Sequence, residues 1–102
     1  MTAEPTATHA TLSTFRVDLS READQRRGLE EMIVPAVRKT PGFVSGHWTV
    51  DREASESTVL LLFESAADAA GMVEGIRANA ENQARVGIEL VSTRIVEVVA
   101  SA

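Results

Sequence analysis

A chain of 102 residues with fifteen acidic against ten basic side chains, a net charge of −5, 44% apolar residues and no cysteine is sized for one folded domain. Its composition excludes disulfides, thiolate metal sites and cysteine nucleophiles, and leaves a cytoplasmic location as the default. A single lysine speaks against nucleic acid and anionic membrane as partners, because both rely on grouped cations to displace counterions, and no run reaches the roughly 18 apolar residues of a membrane span.

Residues 1–8, MTAEPTAT, lack the cationic and apolar regions of a secretory leader and read as a flexible lead-in, with one domain over residues 9–102. His9 to Leu19 is rich in β-branched residues, and Phe15 and Val17 alternate with Thr14 and Arg16, which predicts the first strand. Ser20 is an N-cap candidate, with Glu22 and Asp24 in the first turn, and Leu29, Met32, Ile33 and Val37 recur at helical spacing. Pro35 falls inside this pattern, where its ring removes a backbone hydrogen bond, so a kink or an early end is expected there. Pro41 and Gly42 then stop the element.

Val44 to Asp51 alternates again and is the second strand; REASES is a polar hairpin leading to TVLLLFE, the third. Ser65 caps a second helix, with Asp68 in a capping-box-like position. Its inner stripe is Ala69, Val73, Ile76, Ala80 and Ala84, and Gly71 and Gly75 each weaken it by about 1 kcal/mol relative to alanine. Gly87 to Val99 is the last strand. The order βαββαβ is that of a ferredoxin-like α+β fold, a four-stranded antiparallel sheet with strands one and three in the middle and both helices on one face.

Val59 to Phe63 is apolar at every position, so both faces of the third strand are apolar while helices cover only one. A second copy packed on the other face, making a homodimeric α+β barrel, is the expected remedy.

The βαββαβ order, the TPGFVSGHW passage after the first helix and the LLLFESAADA passage into the second together resemble the antibiotic-biosynthesis monooxygenase family of dimeric α+β barrels. The resemblance implies a homodimer with a small apolar pocket between helices and sheet. It further implies oxygenation of an electron-rich phenolic, anthrone-like or quinol-like substrate that itself reduces oxygen once deprotonated, with no metal or other cofactor. Polyketide-oxidising members use an asparagine four residues before a tryptophan; here Val44 stands four before Trp48. Heme-cleaving members use an asparagine on the first strand and a histidine on a helix, and neither is present.

His47 and Trp48 are neighbours on a strand and point to opposite faces. Trp48 shares its side with Val44 and Val50 and is either a core aromatic or a pocket wall that stacks on a planar ligand; His47 sits with Ser45 and Thr49 and is either a surface residue or a proton acceptor. Arg16, on a central strand, calls for a partner such as Glu64 or Glu97, or else holds a substrate oxyanion. His47 and Arg16 are thus the catalytic candidates, and Trp48, Phe43, Met72 and Asn79 the substrate-binding ones, with Asn82 beside Asn79. Two histidines far apart, with no HxH or HExxH spacing, give no metal site. Two further readings stand beside the oxygenase: a non-catalytic module that binds a small apolar ligand or is simply filled, and a heme-handling protein.

Overall fold

The computed structural model describes residues 6–102, so most of the lead-in expected over residues 1–8 lies outside it. Backbone hydrogen bonding reaches Thr8, which donates to the Phe63 carbonyl at 2.9 Å and accepts from Val98 at 2.9 Å. Four strands follow, β1 (His9–Val17), β2 (Phe43–Asp51), β3 (Glu56–Phe63) and β4 (Ile88–Glu97), in one antiparallel sheet of order β2-β3-β1-β4. The two middle strands are the first and third, as the connection rules require.

β1 ends two residues earlier than the alternation suggested because Asp18 turns the chain. Its carboxylate accepts from the Ser20 backbone N–H at 3.1 Å and from the Ser20 hydroxyl at 2.6 Å, so Asp18, and not Ser20, is the cap, and it caps a 3-10 turn over Leu19–Arg21 that leads into the first helix. These bonds hold the Asp18 carboxyl below the usual carboxylate range.

The first helical stretch neither ends nor breaks at Pro35. It runs as α1 (Glu22–Gly28), a π-helical turn (Leu29–Ile33) and α2 (Val34–Arg38). The Val34 N–H bonds to the Leu29 carbonyl five residues back, a widened turn just before the proline. Widening gives the Pro35 ring room against the preceding turn, where regular α geometry would force a clash. The second helical stretch is likewise split, into α3 (Ala66–Ala78) and α4 (Ala80–Ala84), at Asn79 with φ −90° and ψ 0°. Ser65 caps α3 as expected, accepting from the Asp68 N–H at 3.1 Å while its hydroxyl donates to the Asp68 carboxylate at 2.8 Å.

The hairpin between β2 and β3 is shorter than REASES, because Glu56 and Ser57 already pair with Asp51 and Val50. Both edge strands carry a bulge. In β2 the pairing passes from Phe43–Phe63 to Ser45–Leu62 and leaves Val44 unpaired; in β4 it passes from Ser92–Thr14 to Leu90–Phe15 and leaves Val91 unpaired.

On the helix side of the sheet, Phe15, Val17, Val59, Leu61 and Phe63 pack with Val37, Ala69 and Met72 into the core. Phe63 is fully buried and meets the Phe43 ring edge-on at 5.9 Å. Leu12, Leu60, Leu62 and Val96 lie on the opposite face, and among the described residues no helix or strand lies over them.

Two glycines separate the effects of backbone and space. Gly42 has φ +72°, and a side chain there would collide with the Asp68 carboxylate; Gly75 sits inside α3 with nothing within 4 Å. We expect Gly42→Ala to lower stability by about 1–3 kcal/mol and Gly75→Ala to raise it by about 0.5–1 kcal/mol, read from urea midpoints.

Candidate ligand-binding site

The same widened turn that accommodates Pro35 carries Leu29, Met32 and Ile33 along one wall of a long open cleft between the first helical stretch and the sheet. Phe15, Val17, Trp48, Val50 and Val59 line the sheet side, and Met72 and Ile76 of α3 a further side. Its volume is about 1150 Å³, larger than one drug-sized ligand needs. Met32 is 70% exposed although it belongs to this wall, so the helix presents an apolar side chain to open space and not to the core.

The polar groups in the cleft are mostly neutral. Asn79, at the junction of α3 and α4, lines it together with Asn82. Arg85 donates to Asn82 Oδ1 at 3.5 Å, and Asn82 Nδ2 donates to Asn79 Oδ1 at 3.1 Å. With its oxygen engaged, Asn79 keeps its own amide N–H groups for a ligand acceptor. On the floor, Ser13 is 1% exposed and shares a 2.9 Å hydrogen bond with the Thr93 hydroxyl. The charged lining residues are Glu22, Asp24, Arg26 and Asp68, and no histidine, lysine or tyrosine is among the lining residues.

Two sets of bonds hold the helix over this space. Gln25 Nε2 donates to the Asp18 and Val86 carbonyls, each at 2.9 Å, tying α1 to the ends of β1 and β4. Arg52, in the β2–β3 turn, grips Glu22 with two parallel bonds of 2.9 and 2.8 Å, and Arg26 adds a third contact at 3.4 Å. The Arg52 bonds hold the Glu22 carboxyl below its usual range and raise the Arg52 guanidinium.

The register distributes the sequence candidates over two faces. Trp48, opposite Val59, looks into the cleft with Met72 and Asn79. Phe43 packs against the core by way of Phe63 and is not a cleft residue. His47, opposite Leu60, and Arg16 lie on the uncovered face of the sheet, away from Trp48. Arg16 is not buried and its partner is neither Glu64 nor Glu97: it pairs across the sheet with Glu89 at 3.3 Å, both side chains about two-thirds exposed. Such a pair in water contributes little. Val44, expected in the Trp48 row, sits at the bulge and has no partner in β3. Ser13 and Gln25 escaped the sequence reading, although carrying the Phe15 and Val17 alternation two residues back would have placed Ser13 on the same inner face. Among the described residues no group of three or more His, Asp or Glu side chains is placed to hold a metal ion, and no helix is long and apolar enough to cross a membrane.

No family model matches the chain, and no curated protein matches it in sequence. Solved structures match its fold. The monooxygenase ActVA-Orf6 of Streptomyces coelicolor, in complex with nanaomycin D, aligns with TM-score 0.65 at 14% identity over 94% of this chain and 89% of its own. A putative antibiotic biosynthesis monooxygenase from Deinococcus radiodurans gives TM-score 0.65 at 12% identity over 92% and 93%, and a protein of unknown function from Nitrosomonas europaea 0.67 at 15% over 96% and 95%. The resemblance to antibiotic-biosynthesis monooxygenases that the sequence carries is therefore present in three dimensions, as a shared ferredoxin-like α+β fold.

A carboxyl that binds its proton less readily when folded stabilises the fold above its unfolded pKa and loses that contribution as pH falls through its folded pKa. Glu22 is such a group. Arg52→Ala should speed amide exchange in α1 at neutral pH, and the difference from the parent chain should vanish once acid has protonated Glu22, below the ordinary glutamate range.

Proposed function

We propose that this chain binds a small planar aromatic or quinol-type molecule in the cleft and promotes its oxidation by dioxygen without a resident cofactor. The observation that carries the reading is the open apolar cleft itself, with one tryptophan in its wall: Trp48, Met72 and Met32 line it and do not fill it. An apolar slot with an indole wall suits a flat ring system, and the free amide of Asn79 suits a ring oxygen. The fold shared with a monooxygenase in complex with nanaomycin D supports the same substrate class.

In this chemistry the substrate is the reductant. Loss of a phenolic proton raises its electron density, dioxygen takes electrons from the ring, one oxygen atom enters the substrate and the other leaves as water. The protein's part is to hold the ring, keep water from one of its faces and steady the developing oxyanion through the Asn79 N–H groups. Neither His47 nor Arg16 reaches the substrate within one protomer, and the proton leaves to solvent through the open side of the cleft. The scarcity of titratable groups in the cleft gives weight to a second reading, a binding module without turnover.

The uncovered sheet face belongs to the same proposal. A second copy of the chain covers Leu12, Leu60, Leu62 and Val96, each apolar square ångström removed from water contributing roughly 25 cal/mol. His47, Arg94 and the Arg16–Glu89 pair would then edge the interface as its polar rim.

Trp48 is the only tryptophan, so its emission reports the cleft alone. Titration with an anthrone and a hydroquinone should quench it, and oxygen uptake above the buffer rate should follow. Quenching without uptake selects the binding module, and neither response rejects both readings. His47→Ala should keep any uptake within about twofold of the parent, whereas Trp48→Ala should weaken binding about tenfold, roughly the 1.4 kcal/mol of a lost aromatic contact.

Light scattering at micromolar concentration should give twice the subunit mass, and the combined Leu60→Glu and Leu62→Glu variant should give the mass of one. A parent chain that scatters as a monomer rejects the paired sheets.

A further inference from the structure

Along the inner face of the central strand β1, the apolar pair Phe15 and Val17 gives way to Ser13 and Thr11, both essentially buried. Two hydroxyls at such positions in a small core are costly unless each has work for its hydrogen. Ser13 and Thr93 share one hydrogen bond of 2.9 Å in which either oxygen can donate. Two hydroxyls carry two hydrogens, and one bond between them uses only one. Thr11, two residues along on the same face, has a buried hydroxyl with no partner among the described residues. Of these groups Ser13 is the one that lines the cleft.

We infer that Ser13 and Thr93 form a neutral donor site on the cleft floor that receives a carbonyl or phenolic oxygen of the bound ring molecule. When Thr93 donates to Ser13, the Ser13 hydrogen is free to turn toward the ligand, and the pair is then fully used. The site discriminates by charge as well as by shape. No cation stands at the floor to balance a buried carboxylate, and Arg26, the one cationic lining residue, is in contact with Glu22 at 3.4 Å. Burying an uncompensated anion costs several kcal/mol, so the oxygen on the floor is that of a ketone, quinone or un-ionised phenol and not of a carboxylate, while the ring oxygen that loses its proton lies at Asn79 by the open side of the cleft. This inference rests on the cleft being the binding site, and adds to it which oxygen chemistry the floor selects.

Three naphthalene derivatives of similar outline test it by equilibrium dialysis: acetonaphthone with a carbonyl oxygen, ethylnaphthalene with none, and naphthoate with a charged one. The parent chain should prefer the ketone to the hydrocarbon and bind naphthoate weakest. Ser13→Ala, checked for folding by its thermal transition, should weaken acetonaphthone about tenfold, the loss of one buried hydrogen bond, and leave ethylnaphthalene within about twofold. Thr93→Val, which leaves the Ser13 hydrogen in place, should keep the ketone within about threefold. Equal losses for ketone and hydrocarbon in Ser13→Ala, or naphthoate bound as tightly as the ketone, overturn the donor site while leaving the cleft as a binding site. Absence of binding by all three overturns both together.

Discussion

The architecture depends on one constraint: the central strand β3 presents large apolar side chains to both faces of a sheet that has helices for only one. Val59, Leu61 and Phe63 are buried beneath the helices, while Leu60 and Leu62 alternate onto the far side. A pleated strand cannot do otherwise when every residue in the run is apolar. Because β3 is central, the uncovered leucines lie in the middle of the face, flanked by Leu12 and Val96 of the strands beyond. The core and the need for a covering surface thus arise from one five-residue run.

The cleft has a different origin. Two helical stretches over a four-stranded sheet ordinarily close upon it, but here the first is built around Pro35 and the widened turn before it, and only Ile33 and Val37 near its C-terminal end reach the core. Its N-terminal end is fixed by polar bonds, Gln25 to two carbonyls and Glu22 to Arg52, and its C-terminal end by Val37 packed into the core. A helix tied by directional bonds at one end and by an apolar anchor at the other spans a space that remains open beneath its middle. Met32, largely exposed above that space, is an unbranched and adaptable side chain of the kind that moulds to a guest.

Much of the fold was legible in the sequence because the strands obey a period of two and the caps and turn breakers are of the expected kinds. Ser65, Pro41 and Gly42 each act where their chemistry says they should. The elements that escaped depend on a choice between equivalent local solutions. Pro35 can end a helix, kink it or be absorbed by a widened turn, and the surrounding residues do not say which. Asp18 outcompetes Ser20 as a cap because it comes first and accepts two bonds. Of the residues lining the cleft, alternation placed Trp48 on the inner side of its strand and helical spacing placed Asn79 beside the inner stripe of its helix, whereas Met72 lay outside the expected stripe. Arg16 was expected to be buried because its strand is central, but strand membership fixes a face and how much of that face is covered is a tertiary matter; Phe43, expected just before the second strand, opens it and packs on Phe63. The bulge at Val44 is invisible in composition and falls on the residue expected beside Trp48.

The two bulges bear on how the chain avoids unwanted company. A sheet of four strands has two free margins, and a straight margin offers its unpaired amides and carbonyls to any passing strand. In β2 the ladder is interrupted at Val44 and in β4 at Val91, so both outermost strands are irregular. An incoming chain therefore finds no long uninterrupted ladder to extend sideways. Growth by stacking strand upon strand, the route to fibres, is discouraged at both borders.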